Sequence, residues 1–250
     1  MTDTPGSGSG SARPPAPGGF AVVEMFTSQG CNSCPPAEDV LSEIDRDARE
    51  RGQPVYALGF HVDYWDHLGW ADPFGAEAHT LRQEAYARAL GSRGLYTPQM
   101  IVNGAVEFVG SDRRLASMAI NSALAEAVNT TPLALSLREA PEDAGDGHRV
   151  VVEFEAGRLP QPAAFNVAVV ERGLENDVPR GENAGRRLRQ DGVVRAFTSI
   201  PMNTERGQVD LQVPPTLDPR KASVVGYVQN DGDKTIVGAA SVDVAAGRRT

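Results

Sequence analysis

Two cysteines, Cys31 and Cys34, lie between a short apolar run and a segment with helical periodicity. The apolar run, residues 20–26 (FAVVEMF), does not alternate with polar residues, which predicts a strand buried on both faces, as in a parallel sheet. After the cysteines, residues 37–51 repeat apolar side chains at helical spacing, and Gly52 follows where a helix would end. A buried strand that leads through such a pair into a helix favours an α/β sheet with helices on its faces.

The chain continues with further strands and helices up to about residue 130. Residues 54–60 (PVYALGF) predict a second buried strand, and residues 76–90 predict a helix. Residues 99–109 carry Asn103 and Gly104 between apolar runs. This dipeptide predicts a hairpin, because both central residues of a type I′ turn need positive φ. A further helix is expected after the hairpin.

The pattern changes from Thr131 onward. Seven short runs follow, several of them alternating, and most are separated by Gly, Pro, Asp or Asn. Most of the aromatic residues, both tryptophans and both cysteines precede residue 130. This shift predicts an α/β domain over residues 20–130 and an all-β domain of the sandwich type over residues 131–250.

Composition and charge exclude some classes of partner. The chain has 250 residues and a net charge of −9, whereas binding to nucleic acid depends on basic surface. It has no apolar run of about 18 residues or more, so we expect no membrane span. Residues 1–19 are rich in Gly, Ser and Pro and lack the pattern of a secretory signal. We interpret them as a disordered tail and expect a cytoplasmic protein.

The spacing of the cysteines suits a redox dithiol. A structural zinc site needs about four ligands, and the sequence has neither a second CxxC nor an HxxxH pair. Cys31 precedes the helix, whose free N–H groups and dipole stabilise a thiolate, whereas Cys34 lies in the first turn and can close a disulfide. We therefore expect Cys31 to be more acidic and more exposed than Cys34, with no organic cofactor needed. The alternative is a pair of inert buried thiols.

Several motifs resemble those of known proteins. Residues 20–130 are similar to a thioredoxin-like domain, in which the strand, the CNSC motif, a helix, Thr97-Pro98, the hairpin and a final helix follow in this order. More narrowly, five segments resemble an uncharacterised bacterial family of unknown function. They are EMFTSQGCNSCPPAE, FHVDYWDHLGWADPF, RQEAYA, YTPQMIVNG and GENAGRRL. The resemblance implies an α/β thioredoxin-like N-terminal domain followed by an all-β, sandwich-like C-terminal domain. It also implies a dithiol site, without a known substrate.

The same resemblance implies roles for residues near the dithiol. Pro98 matches the cis-proline position, which implies a cis Thr97-Pro98 bond and a Thr97 backbone beside Cys31. Glu24 matches a buried carboxylate that manages the proton of Cys34, since a buried carboxylate titrates high and can act as a base. Alternatively, Glu24 faces solvent or pairs with an arginine.

Polar and aromatic residues follow the second predicted strand. His61 and Asp63 lie at its carboxyl end, where open α/β sheets build their sites. His61 could tune Cys31, ligate copper or zinc together with both cysteines, or be satisfied by local hydrogen bonds. These residues belong to an aromatic insertion, residues 61–74. Its aromatic side chains either form the floor of a substrate groove or pack the insertion onto the domain. They are Tyr64, Trp65, Trp70 and Phe74.

Three functions remain open at this point. The first is a thiol–disulfide oxidoreductase in which Cys31 attacks and Cys34 resolves, with a protein or small-molecule disulfide or dithiol as its partner. The second is a copper- or zinc-binding protein that uses Cys31, Cys34 and His61. The third is an interaction module whose β-rich half does the binding. The arginine-rich residues 180–189 could bind an anion, dock on the first domain or remain solvated.

Overall fold

The computed structural model describes residues 18–126, 130–138, 148–158 and 162–245. The expected disordered tail lies, except for its last two residues, outside these ranges. No helix within them is long and apolar enough to cross a membrane. The helices are α1 (Pro35–Arg51), α2 (Glu77–Leu90) and α3 (Arg113–Ala125), with a short 3-10 turn at Asp66–Leu68.

The strands fall into two groups along the chain. Those of the first half are β1 (Ala21–Thr27), β2 (Val55–His61), β3 (Gln99–Val102) and β4 (Val106–Val109). Those of the second half are β5 (Leu133–Arg138), β6 (His148–Ala156), β7 (Ala163–Glu171), β8 (Leu174–Asp177), β9 (Arg187–Gln190), β10 (Val193–Pro201), β11 (Arg206–Val213), β12 (Ala222–Asn230) and β13 (Ile236–Asp243).

The local elements of the first half form where the sequence predicts them. β1 is buried along its whole length and pairs in parallel with β2 and antiparallel with β3. α1 and α2 end at Gly52 and Gly91, which adopt left-handed φ values of 61° and 68°. Asn103 and Gly104 also have positive φ and form the turn between β3 and β4. The predicted hairpin is thus confirmed.

One mixed sheet of eight strands runs through both halves of the chain, in the order β13-β12-β7-β10-β2-β1-β3-β4. β10 comes from the second half and lies parallel beside β2, with Val193 opposite Gly59. The N–H of Gly59 donates to the carbonyl oxygen of Gly192 at 2.7 Å. The expectation of a thioredoxin-like α/β domain followed by a separate, sandwich-like all-β domain is therefore wrong. The described residues are rich in strands and show no clear division into two domains.

The hydrophobic core explains why the halves do not separate. Its middle cluster joins side chains of β1 and β2, such as Phe26 and Phe60, to side chains of β7, β10 and β12, such as Val170, Val194 and Tyr227. A run of apolar residues predicts that a strand is buried but not which strand lies beside it. The change of pattern near residue 130 therefore marks a change from helices to strands, not a boundary between two cores.

Two smaller sheets complete the architecture. The strands β11, β6 and β5 form one of them, and its apolar side packs on β7 and β12. At this contact the rings of Phe154 and Phe165 lie 4.2 Å apart between centroids. β8 and β9 form a separate hairpin between β7 and β10. This hairpin lies against the start of α1.

A buried ion pair joins β1, α2 and β12. Nε of Arg82 donates to Oε1 of Glu24 at 2.8 Å, and the carboxylate is fully buried. The hydroxyl groups of Tyr86 and Tyr227 donate to the same carboxylate. The guanidinium carbon of Arg82 also lies 4.9–5.6 Å from the ring centroids of Phe60, Tyr86, Phe197 and Tyr227. Of the alternatives for Glu24, pairing with an arginine is the one observed.

Replacing Arg82 by alanine is expected to lower the free energy of unfolding by about 3–5 kcal/mol, because the buried Glu24 carboxylate would lose its cation. Arg88→Ala is the matched control on the same helix. It removes only an exposed ion pair with Glu84, worth about 0.5 kcal/mol or less. Denaturant unfolding of both variants measures the difference. Equal losses in the two variants would show that the buried pair contributes no more than a surface one.

Candidate active site

The two cysteines lie where the loop after β1 turns into α1. Cys34 is the N-cap residue of α1, and Pro35 and Pro36 occupy its first turn, where N–H groups have no partner within the helix. The N–H of Cys34 donates to the carbonyl oxygen of Cys31 at 3.2 Å. Both thiols are free, and their side chains hydrogen-bond each other. We call residues 28–34 the dithiol loop.

The two thiols differ in acidity. Each residue is only 1% exposed, so the exposed fractions do not show the expected difference between them, although Cys34 lies deeper in the protein than Cys31. The hydrogen bond from Cys34, assisted by Ser33 and Thr97 and opposed by burial, lowers the pKa of Cys31 to about 6. Burial raises the pKa of Cys34, and its hydrogen bond to Cys31 raises it further. The expected order of acidity agrees with these shifts.

Thr97 and Trp65 form one wall beside Cys31. The carbonyl oxygen of Thr97 lies 3.8 Å from Sγ of Cys31, and the Thr97-Pro98 peptide bond is cis, as expected. The hydroxyl of Thr97 accepts a hydrogen bond from Nε1 of Trp65 at 2.8 Å. A β carbon at Gly30 would lie 3.0 Å from Cβ of Trp65, so the glycine lets this residue approach the dithiol loop.

The other predicted residues of the insertion hold its structure. Nε1 of Trp70 donates to Oε1 of Gln29, in the dithiol loop, at 3.1 Å. The hydroxyl of Tyr64 donates to an amide oxygen of α2 at 3.2 Å, and the carboxylate of Asp63 accepts from a threonine hydroxyl of α2 at 2.6 Å. Trp65 and Trp70 therefore contact the site, and so does Tyr64, whose side chain also hydrogen-bonds Thr97. Asp63 fastens the insertion to α2.

His61 pairs with an aspartate. Its Nδ1 lies 2.7 Å from Oδ2 of Asp72, and both side chains are buried. Asp72 also accepts from the N–H of Gln29 at 2.7 Å, so the pair supports the dithiol loop. Burial lowers the pKa of His61, but the charge and hydrogen bond of Asp72, together with the charge of Glu38, raise it above its ordinary value. No group of three His, Cys, Asp or Glu side chains in the described part of the chain is arranged to hold a metal ion.

Glu38 is a site residue that sequence reasoning missed. Its Oε1 accepts from Oγ1 of Thr27 at 2.5 Å, and the Thr27 hydroxyl also hydrogen-bonds the Cys34 thiol. Burial raises the pKa of Glu38, while His61 opposes this shift. The signal in the sequence is the spacing, because Glu38 follows Cys34 by four residues and so lies on the same face of α1. Glu24, which the resemblance assigned to this place, is engaged by Arg82.

A loop from the second half of the chain holds the dithiol loop. It spans residues 181–185, between β8 and β9, and we call it the covering loop. Nδ2 of Asn183 donates to the carbonyl oxygens of Gln29 and Cys31, both at 2.9 Å. The carboxylate of Glu182 accepts from the N–H of Asn32 at 3.0 Å. Asn183 and Glu182 therefore dock on the dithiol loop, whereas the four arginines of this region are exposed.

Alkylation of Cys31 by iodoacetamide is expected to follow the titration of one thiolate, with a midpoint near pH 6, because only the thiolate reacts. Cys34, whose pKa is raised, should remain unlabelled at pH 8. Timed labelling over a pH series with peptide mass mapping measures both rates. In Cys34→Ala the midpoint should rise, since the strongest cause of the low pKa is removed. A wild-type midpoint near the ordinary thiol value of about 8.5 would contradict this assignment.

The chain is similar to known proteins over most of its length. It is 29% identical to protein AGR_C_4864 from Agrobacterium tumefaciens, whose crystal structure matches with a TM-score of 0.64 over 96% of this chain and 98% of that one. HBP35 of Porphyromonas gingivalis matches at 14% identity with a TM-score of 0.59, over 90% of this chain and 75% of that one. At this identity the match shows a similar fold and nothing more. No curated protein matches the sequence. The model of the family described as "Protein of unknown function (DUF1223)" matches residues 22–229, and the chain belongs to that family.

Proposed function

We propose that the protein is a thiol–disulfide oxidoreductase in which Cys31 attacks and Cys34 resolves. The observation that carries the proposal is the opposite shift of two thiols that hydrogen-bond each other at the start of α1. The pKa of Cys31 is lowered to about 6, and the pKa of Cys34 is raised. At neutral pH one sulfur is then a thiolate while the other keeps its proton. In a pair of inert thiols, burial would raise both pKa values.

The reaction consists of two exchanges. First, the Cys31 thiolate attacks one sulfur of a protein or small-molecule disulfide, whose S–S bond breaks, and the departing thiolate takes a proton from water. Second, Cys34 loses its proton and attacks Sγ of Cys31, so that the internal disulfide forms and the second substrate thiolate departs and is protonated. The substrate gains two electrons and the protein loses two. The reverse sequence oxidises a dithiol, and neither direction needs an organic cofactor.

Thr27 and Glu38 supply a route for the proton of Cys34. The Thr27 hydroxyl donates to Glu38 at 2.5 Å, so its oxygen can accept from the Cys34 thiol with which it hydrogen-bonds. Because burial raises the pKa of Glu38, its carboxylate is a stronger base than that of an exposed glutamate. We assign Glu38 the role of proton acceptor in the second exchange. In reverse, the same carboxyl group returns the proton to Cys34.

Trapping with oxidised glutathione tests the proposal. In Cys34→Ser, a mixed disulfide with one glutathione should accumulate on Cys31, because the resolving thiol is absent. The wild type should release both glutathione molecules and form the internal disulfide, and Cys31→Ser should form no adduct. Intact-protein mass spectrometry distinguishes these species. Equal adducts on both single variants, or none on either, would contradict the assigned roles.

The same assay tests the proton acceptor. Glu38→Gln should form the mixed disulfide at the wild-type rate but resolve it about 100-fold more slowly, the lower range for loss of a general base. Glu50→Gln, at an exposed position of the same helix, is the control and should resolve normally. Equal resolution rates in the two variants would remove Glu38 from the mechanism.

A further inference from the structure

We propose that the covering loop is a gate, and that it has to move away before Cys31 can meet a disulfide. The proposal rests on the proposed function in one respect, because it requires that a substrate reach the thiolate. Asn183, at the centre of the loop, controls this access. Asn183 is thus a positioning residue, which acts on the backbone of the dithiol loop rather than on the reacting sulfur.

The closed arrangement leaves no room for a substrate. An exchange requires a third sulfur to approach Sγ of Cys31 to about the length of an S–S bond, about 2.05 Å. Cys31 is 1% exposed, with the Thr97 carbonyl oxygen 3.8 Å from its sulfur. Thr97 is held by Trp65, so this wall belongs to the fixed part of the site. Access therefore requires displacement of another element, and the covering loop, which holds the backbone of Gln29 and Cys31, is that element.

The covering loop holds the dithiol loop through hydrogen bonds. Asn183 donates to two backbone carbonyl oxygens, of Gln29 and Cys31, and Glu182 accepts from the N–H of Asn32. Nη1 of Arg186 donates to Oδ1 of Asn183 at 2.8 Å and fixes the orientation of the amide. Water can replace each of these bonds, so their loss on opening costs far less than the exposure of an apolar contact of similar size.

The surroundings of the covering loop allow it to move separately from its base. Gly181 and Gly185 stand two residues on either side of Asn183 and have φ values of 80° and 78°. Glycines at such positions absorb the backbone rotations of a moving loop. The base of the hairpin is anchored instead, since Oε1 of Gln190 accepts from Nε2 of Gln29 at 2.9 Å. Opening thus requires movement of five residues, not of the whole hairpin.

Iodoacetamide labelling of Cys31 in the full-length protein tests the gate, with the rate followed over a pH series. In Asn183→Ala the plateau rate above pH 7 should rise about tenfold, equivalent to about 1.4 kcal/mol, while the midpoint stays near pH 6. Asn176→Ala, on the same hairpin, is the matched control and should label at the wild-type rate. Glu182→Ala, at an exposed position, should raise the plateau rate about threefold. It is the second test variant, for use if Asn183→Ala melts at a lower temperature than the wild type.

The outcomes separate the gate from the proposed function. An unchanged plateau in Glu182→Ala and in a folded Asn183→Ala would overturn the gate, even if disulfide exchange is normal. A shifted midpoint with an unchanged plateau would also overturn it, because Asn183 would then act on the thiolate charge and not on access. Faster labelling supports the gate even in a protein that exchanges no disulfide, since alkylation requires only that the thiolate be reached.

Discussion

The ion pair between Glu24 and Arg82 ties the parts of the molecule together. A carboxylate buried in β1 requires a cation, and α2 supplies it. The guanidinium lies in turn against Phe197 of β10 and Tyr227 of β12, so the pair links the first strand to the strand-rich half. β1 ends where the dithiol loop begins. The frame on which the cysteines stand is therefore built by both halves of the chain.

The difference between the two thiols follows from where this frame places them. Cys31 precedes α1 and gains hydrogen bonds from Cys34, Ser33 and Thr97, which stabilise its thiolate despite burial. Cys34 lies three residues later and hydrogen-bonds Thr27, at a position where burial favours the neutral form of its thiol. The aromatic insertion contributes Trp65 and the second half contributes Asn183. The two cysteines are thus enclosed by elements that are distant in sequence.

The sequence predicted the parts of this structure that depend on local interactions. Glycine after a helical run and Asn103-Gly104 between apolar runs set backbone conformations directly, and these elements were correctly predicted. The order of acidity of the two cysteines was also predicted correctly, although the low pKa of Cys31 comes from hydrogen bonds of Cys34, Ser33 and Thr97. The single eight-stranded sheet was missed, because the alignment of β10 with β2 joins residues more than a hundred positions apart. Docking of residues 180–189 was one of three open alternatives, but the contact of Asn183 with Cys31 was not predicted, since the two residues are 152 positions apart.

The most direct measurement is an equilibrium titration of the wild-type dithiol in glutathione redox buffers, quenched with an alkylating reagent and resolved by mass spectrometry. We predict one two-electron transition in which Cys31 and Cys34 leave the thiol form together and form the internal disulfide. Cysteines that remain thiols across the whole series would contradict the central claim. Glutathione adducts that accumulate on Cys31 at equilibrium, with no internal disulfide, would contradict it as well.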